Sequence, residues 1–324
     1  MSKKRLLPSP QTAHRAWERR VAGALALACT VLGSVWLGSC GQVEEAKARD
    51  SASVPADWPS VIRFGLVPAE GGSDTLERFT PLLEYVEHAI GVPIEASSAT
   101  EYVGVITAMQ NDQVEFAYYG PKSYIEAVRR ADAEAIVKEV NTHGVSGYHS
   151  ILVARRDSGM RTLGDARGRD LALVTPNSTS GYLVPIVGIY DETGMLPEEY
   201  FGRIQFAGTH GNAVQSVIRG DVPVAATNDF DLEAMVRSGN ADDSLLVELW
   251  RSELIPGSVI AARSELPESL KTAVRDAVIG FARDNRRELA EMSRGGFVEA
   301  TDSDYDVTRL LEQRREELVS GGDG

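Results

Sequence analysis

The chemistry-bearing stretch of this chain of 324 residues is Leu171–Pro185. An apolar segment there runs into Thr175, Pro176, Asn177, Ser178, Thr179 and Ser180, then through Gly181 into a second apolar segment. The pattern reads as strand, polar loop and helix. Three consecutive hydroxyls at a helix start set O–H donors beside the first backbone N–H groups, which have no partner inside the helix. Those N–H groups and the helix dipole both favour negative charge, so the element can hold an anion. Pro185 is tolerated only in the first turn, which places the helix start close to Ser180. The same residues also suit an ordinary Ser/Thr cap without a ligand, and from chemistry alone both possibilities stand. Elsewhere there is no metal-ligand spacing, nucleophile elbow or phosphate-loop lysine motif, and the 5 histidines are scattered singly. No enzyme chemistry, cofactor or metal is expected.

The elements that must position this loop alternate in type. Val61–Val67 is a buried strand ending at Pro68, and a helix follows from about Thr75. Leu76, Phe79, Leu83, Val86 and Ile90 share one face of that helix, and Gly91 closes it. Pro93–Ala96 is a short strand, Thr100 can cap the next helix with its stripe of Val103, Ile106 and Met109, and Val114–Tyr118 alternate as a strand. Such an order belongs to α/β domains with mainly parallel sheets. A helix end, a turn and a strand recur: once in Ile106–Tyr119 around Asn111-Asp112, and again in Val214–Asn228 around Gly220-Asp221. These are either two unrelated units or two similar lobes. In the second case each lobe offers a loop at the carboxyl end of a strand, where open α/β sheets bind ligands.

Length and a hydrophobic content of 43% allow a sizeable core and two domains. The N-terminus carries Lys3, Lys4, Arg5, Arg15, Arg19 and Arg20 ahead of the apolar run Val21–Leu37, which ends at Leu37-Gly38-Ser39-Cys40. This has the parts of an export signal. An uncleaved signal anchor is the alternative, because the run approaches the lower limit of about 17 residues for a membrane span. Cys29 falls inside the signal, so Cys40 is the one cysteine left after cleavage, and neither an internal disulfide nor a cysteine-based metal site is expected. Residues 41–60 are polar and read as a flexible tether. The net charge is −14 for the whole chain, and an acidic chain is no partner for nucleic acid. It says nothing of the sign of a bound ligand, because local donors set that.

Several segments carry a resemblance. They are Ala99–Ile106 with its Glu101-Tyr102-Val103-Gly104, Tyr118–Ser123, Gly147-Tyr148-His149-Ser150, Pro176–Pro185, Pro68–Gly72 and Leu254-Ile255-Pro256-Gly257. In collinear order over about residues 60 to 290, they resemble the periplasmic phosphonate-binding family of ABC importers. The Leu-Gly-Ser-Cys ending likewise resembles the lipobox of bacterial lipoproteins, in which the Cys is acylated after cleavage. The resemblance implies a two-lobed type II periplasmic binding protein that closes on its ligand by hinge motion. It implies phosphonate oxygens held by Ser178, Thr179 and Ser180 and by the tyrosines Tyr102 and Tyr148. Tyr119 and His149 fall at motif positions near the cleft. Neutral donors of this kind match a tetrahedral oxyanion without a buried cation. A buried Tyr more often packs its ring and satisfies its hydroxyl locally. That is the expectation for Tyr118, which alternation points opposite to Tyr119, and His210 is likewise expected to be structural.

One position departs from the family. Relatives that take aminoalkylphosphonates place a carboxylate after Ile-Pro-Gly to receive the amine, and this chain has Ser258 there. Asp229 is the expected remaining carboxylate at the pocket, with Asp231 beside it as a second candidate. The expected ligand is thus a small phosphorus oxyanion, phosphite or a phosphonate, with an amine-bearing ligand disfavoured. The expected partners are an ABC permease and, through a lipid on Cys40, a membrane. The protein is expected to be a monomer in the cell envelope, facing the periplasm or the exterior. A binding lobe serving a membrane sensor is the alternative. The expected organisation is a signal peptide over 1–39, lipidated Cys and tether over 40–60, lobe one from 61–147 plus 257–320, and lobe two from 148–256, with helices at 267–293 and 305–318 packing on lobe one.

Overall fold

The protein is described by a computed structural model that covers Val54–Ala69 and Gly71–Gly321. The signal segment, Cys40 and the first part of the tether lie outside the described residues.

The chain begins with β1 (Ile62–Leu66), α1 (Gly72–Ile90), β2 (Ile94–Ser98), α2 (Tyr102–Gln110), β3 (Phe116–Tyr119), α3 (Pro121–Ala131) and β4 (Ala133–Val140). It continues through β5 (Gly147–Arg155), β6 (Leu171–Leu173), α4 (Val184–Thr193), α5 (Pro197–Tyr200), β7 (Ile204–Phe206), α6 (His210–Arg219), β8 (Val224–Asn228), α7 (Asp229–Arg237) and β9 (Leu246–Pro256). It ends with β10 (Val259–Arg263), α8 (Glu268–Asp284), α9 (Arg286–Glu291), β11 (Gly296–Glu299) and α10 (Asp306–Gly321). Two sheets result. One has six strands in the order β11-β4-β10-β3-β1-β2, and the other has five in the order β7-β6-β8-β5-β9.

The α/β alternation read from the sequence is present, but each sheet is mixed. β1 pairs in parallel with β2 and β3, and β6 with β7 and β8. The remaining ladders, β10 with β3 and β4, β11 with β4, and β5 with β8 and β9, are antiparallel. The antiparallel partners are the strands by which the chain leaves or re-enters a sheet. Those strands have no crossover helix to reverse them, so they cannot run parallel.

Local signals explain the helix ends. Gly91 closes α1 in the left-handed conformation at φ 73°, as the sequence suggested. Thr100 does not cap α2: the N-cap is Glu101, without a side-chain cap. Chain crossings between the sheets occur at residues 141–146 and 257–258, and they touch. Gly147 pairs with Pro256, and Glu139 N donates to Ser258 O at 2.9 Å. A Cβ on Gly147 would stand 2.5 Å from Ile255 O, and one on Gly257 would stand 2.4 Å from Glu139 O. Only a residue without a side chain allows strands to pass at that distance.

α10 departs from the expectation that it packs on lobe one alone. It lies against α3 on one side and against α4 and the turn before it on the other. Lys122 Nζ of α3 reaches Glu312 at 2.9 Å, and Arg314 pairs with Asp191 of α4. Alternate helix turns of α10 thus hold helices that belong to different sheets.

Candidate binding site between the sheets

A cavity with about 360 Å³ of space between atoms lies where the carboxyl ends of β3, β6 and β8 meet. It is lined by Val67, Ala69, Tyr102, Tyr118, Gly120, Tyr148, Ser178, Thr179, Ser180, His210, Asn228, Phe230, Asp231, Ser258 and Arg294.

The hydroxyl loop is built from an unusual helix start. Ser178 is the N-cap, and its Oγ accepts from Gly181 N at 3.0 Å. The first turn, Thr179–Leu183, is wound wide: Leu183 N reaches back to Ser178 O at 3.2 Å, and α4 continues from it. The wide turn accommodates Pro185. Proline has no N–H for the Gly181 carbonyl, and that oxygen instead accepts from Val174 N at 2.9 Å. A Cβ on Gly181 would stand 2.2 Å from Val174 Cγ2, so loop and preceding strand can close together only around glycine. All three hydroxyl residues are buried. Thr179 Oγ1 accepts from Lys122 N of α3 at 2.8 Å, which ties the loop to the other sheet. Ser150 Oγ donates to Ser180 O at 2.7 Å, and Asn228 Nδ2 reaches Ser180 Oγ at 3.2 Å.

Tyr102 opens α2 and Tyr148 lies in β5; both face the cavity. Burial drives the Tyr102 hydroxyl well above the ordinary phenol range, and the Asp231 charge adds to the rise while hydrogen bonding with Ser178 opposes it. Burial likewise pushes Tyr148 up, against hydrogen bonding with Thr179 and Ser180. Both therefore remain neutral O–H donors around neutral pH.

Three expected residues lie elsewhere. Tyr119 turns away and donates to Val105 O at 3.2 Å, whereas Tyr118 lines the cavity. Alternation correctly puts the two on opposite faces, but it does not say which face is the cleft. His149, one residue past Tyr148 on β5, turns outward for the same reason, with Nδ1 2.8 Å from Ser252 O. Asp229, the first residue of α7, accepts from His149 N at 2.9 Å and from Arg251 Nη1 at 2.9 Å. It is Asp231, two residues on, that enters the cavity wall.

His210, expected to be structural, also lines the cavity, 3.4 Å from Ser178 Oγ through Nε2 and 3.2 Å from Thr227 Oγ1 through Nδ1. Burial lowers its pKa against the pull of Asp231, so the ring is neutral. A buried cation is present too. Arg294 lines the cavity and donates from Nε to Glu139 at 2.5 Å, while its guanidinium lies 4.6 Å from the Phe230 ring centre. Burial works to lower the Arg294 pKa, but Glu139, Tyr118 and Asp231 outweigh it and raise it. Tyr118 completes the group by donating to Glu139 at 3.0 Å. In the sequence Arg294 lies far from every cavity motif, and the signal for it is faint: an Arg before Gly295-Gly296, after a Ser293 with φ 56°.

The family model for the periplasmic substrate-binding protein of phosphonate ABC transporters matches residues 64–305. The chain belongs to that family. It is 32% identical over 240 residues to the phosphonates-binding periplasmic protein of Escherichia coli, spanning 73% of this chain and 70% of that one. It is 29% identical over 284 residues to the phosphate-import protein PhnD of Mycolicibacterium smegmatis, spanning 81% and 88%. The crystal structure of a binding-protein component of an ABC phosphonate transporter from Pseudomonas aeruginosa superposes with a TM-score of 0.74 at 30% identity, over 79% of this chain and 87% of that one. This phosphonate-binding family member therefore has the two-lobed type II architecture, and it serves as the periplasmic substrate-binding component of an ABC importer. The sensor alternative is not favoured. The collinear motifs from Tyr102 to Gly257 fall inside the matched span.

Proposed function

We propose that the cavity captures one small phosphorus oxyanion, phosphite or a phosphonate, and presents it to a permease. The carrying observation is the buried Ser178–Ser180 helix start, whose hydroxyls and first N–H groups face a closed space shared by both sheets. In this proposal Ser178, Thr179, Ser180, Tyr102 and Tyr148 donate to the anionic oxygens, and His210 joins them at Ser178. The chain is a monomer held to a membrane by a lipid on Cys40, with lobes spanning 61–147 plus 257–320 and 148–256. Mass spectrometry of the mature protein tests the anchor: an unmodified Cys40, or another N-terminus, removes it.

Ser258 lines the cavity where amine-binding relatives carry a carboxylate. An ammonium in this space has one charged partner fewer, and an underpaired charge in a desolvated site costs several kcal/mol. Phosphite and methylphosphonate are accordingly expected to bind more tightly than 2-aminoethylphosphonate. Ser258→Asp should move the ratio toward the amine by about tenfold or more, the worth of one charge-assisted bond. The decisive experiment is a thermal-shift screen of phosphite, methylphosphonate, 2-aminoethylphosphonate, phosphate and sulfate. Stabilisation by the first two supports the proposal. No shift with any phosphorus oxyanion overturns it, and a tenfold preference for the amine overturns the role of Ser258.

A further inference from the structure

A site for anions with a carboxylate in its wall contains a contradiction unless the ligand resolves it. Asp231 is buried and lines the cavity. Its Oδ2 accepts from Asn228 Nδ2 at 2.8 Å, and the same Nδ2 lies 3.2 Å from Ser180 Oγ. The carboxylate is thus one side chain removed from the hydroxyl loop, at the oxyanion end of the cavity. Among the described residues the ion-pair contact to Oδ1 is Arg78 Nη1 at 3.9 Å, beyond hydrogen-bond length. An ionised carboxylate only accepts hydrogen bonds, so an oxyanion brought against it must itself supply a proton.

We propose that Asp231 reads that proton: it accepts a hydrogen bond from a P–OH group, and so admits singly ionised phosphorus oxyanions and rejects sulfonates and sulfate. The proton stays on the ligand, which lies between the Asp231 carboxylate on one side and the hydroxyl loop on the other. Phosphoryl acids keep a weakly acidic second proton, lost at about pH 6 in a phosphate ester, whereas a sulfonate has none to offer. The proposal rests on the oxyanion site argued above and adds the ligand's protonation state to it.

The surrounding groups leave the ligand as the titrating partner. Facing Asp231 are His210 from α6, Arg78 from α1, Arg294 from the segment after α9, Tyr102 from α2, Tyr118 from β3 and Tyr148 from β5. On its own helix, Asp229 is turned outward to Arg251. Glu139 is occupied by Arg294 and Tyr118. Burial works to raise the Asp231 pKa, but His210, Arg78, Arg294 and Asn228 together bring it below the usual carboxylate value. His210 is held below its ordinary 6.5 by burial, and the three tyrosines are held above their ordinary 10.0. Between about pH 6.5 and 9 the cavity therefore keeps one charge state.

The test is a square of ligands titrated by calorimetry: methylphosphonate, methanesulfonate, 2-aminoethylphosphonate and 2-aminoethanesulfonate, against wild type and Asp231→Asn. Wild type should bind methylphosphonate at least about a hundredfold more tightly than methanesulfonate, since a lone pair facing a proton-free anion is an unpaired charge. Its methylphosphonate affinity should fall about tenfold per pH unit above the ligand's second ionisation, as linkage to one proton requires. Asp231→Asn should narrow the sulfonate gap below about tenfold and flatten the pH dependence, since its amide N–H can donate. Equal binding of methylphosphonate and methanesulfonate by wild type, or affinity that does not fall with pH, overturns the proposal while leaving the oxyanion site intact. If Asp231→Asn weakens the two amine-bearing ligands alone, Asp231 holds an ammonium and the proposal fails. Failure of wild type to bind either phosphonate defeats the oxyanion site itself. The wild-type arms decide the matter even if the variant does not fold.

Discussion

The two halves of the cavity wall are made in opposite ways. On one side, Ser178, Thr179 and Ser180 offer neutral donors from three adjacent positions, fixed by one wide helical turn. On the other, Tyr118, Glu139 and Arg294 form an ionic group assembled from β3, β4 and the loop before β11. Neutral hydroxyls strengthen their bonds when an anion arrives, and their rest state costs little. A buried ion pair is the reverse: its attraction is largely consumed by its own desolvation, and it is costly chiefly to break. The first half is therefore suited to recognition, and the second to holding a shape.

The largest effect that separates the halves is on affinity. Replacing Ser178, Thr179 and Ser180 together with Ala removes the hydroxyls and spares the backbone donors. At about 1.5–3 kcal/mol for each bond to a charged group, methylphosphonate binding should weaken at least about a thousandfold by calorimetry. A loss under tenfold in a folded protein would move the ligand out of this half. Next in size is stability. Glu139→Gln leaves the Arg294 guanidinium buried without its carboxylate, and breaking such a pair costs about 3–5 kcal/mol. Denaturant melts should show that loss, with affinity changing far less than in the triple variant; an unchanged melt would mean that the ionic group does not hold the wall. The smallest effect belongs to Tyr119, which touches neither half. Tyr119→Phe should cost about 1 kcal/mol, the worth of its bond to Val105 O, and should leave affinity within about twofold. A larger loss of affinity would place Tyr119 in the site after all.

The same contrast explains what the sequence discloses. The hydroxyl loop is local: strand, cap, glycine and proline all fall within Leu171–Pro185, so its anion-binding chemistry is legible residue by residue. The parallel core strands and the αL stop at Gly91 are legible for the same reason. Arg294 is not, because its partner Glu139 is 155 residues away and no spacing rule joins them. Strand alternation separates Tyr118 from Tyr119 and Tyr148 from His149, yet the cavity-facing member of each pair depends on which sheet face the helices cover. Asp229 and Asp231 differ by less still. The helix turn that follows Asn228 sends one outward to Arg251 and the other inward, and only the docked position of α7 says which.

α10 has a mechanical meaning. The crossings at residues 141–146 and 257–258 lie side by side, so as a pivot they define one line about which the sheets can swing. A third fastening placed away from that line acts with leverage. α10 is such a fastening, gripping Lys122 through Glu312 on one side and Asp191 through Arg314 on the other. A small angular excursion at the pivot becomes a long linear stroke at α10, too long for either charge pair to follow. The swing therefore has a detent, and because the Arg314 pair is exposed to solvent, salt loosens it.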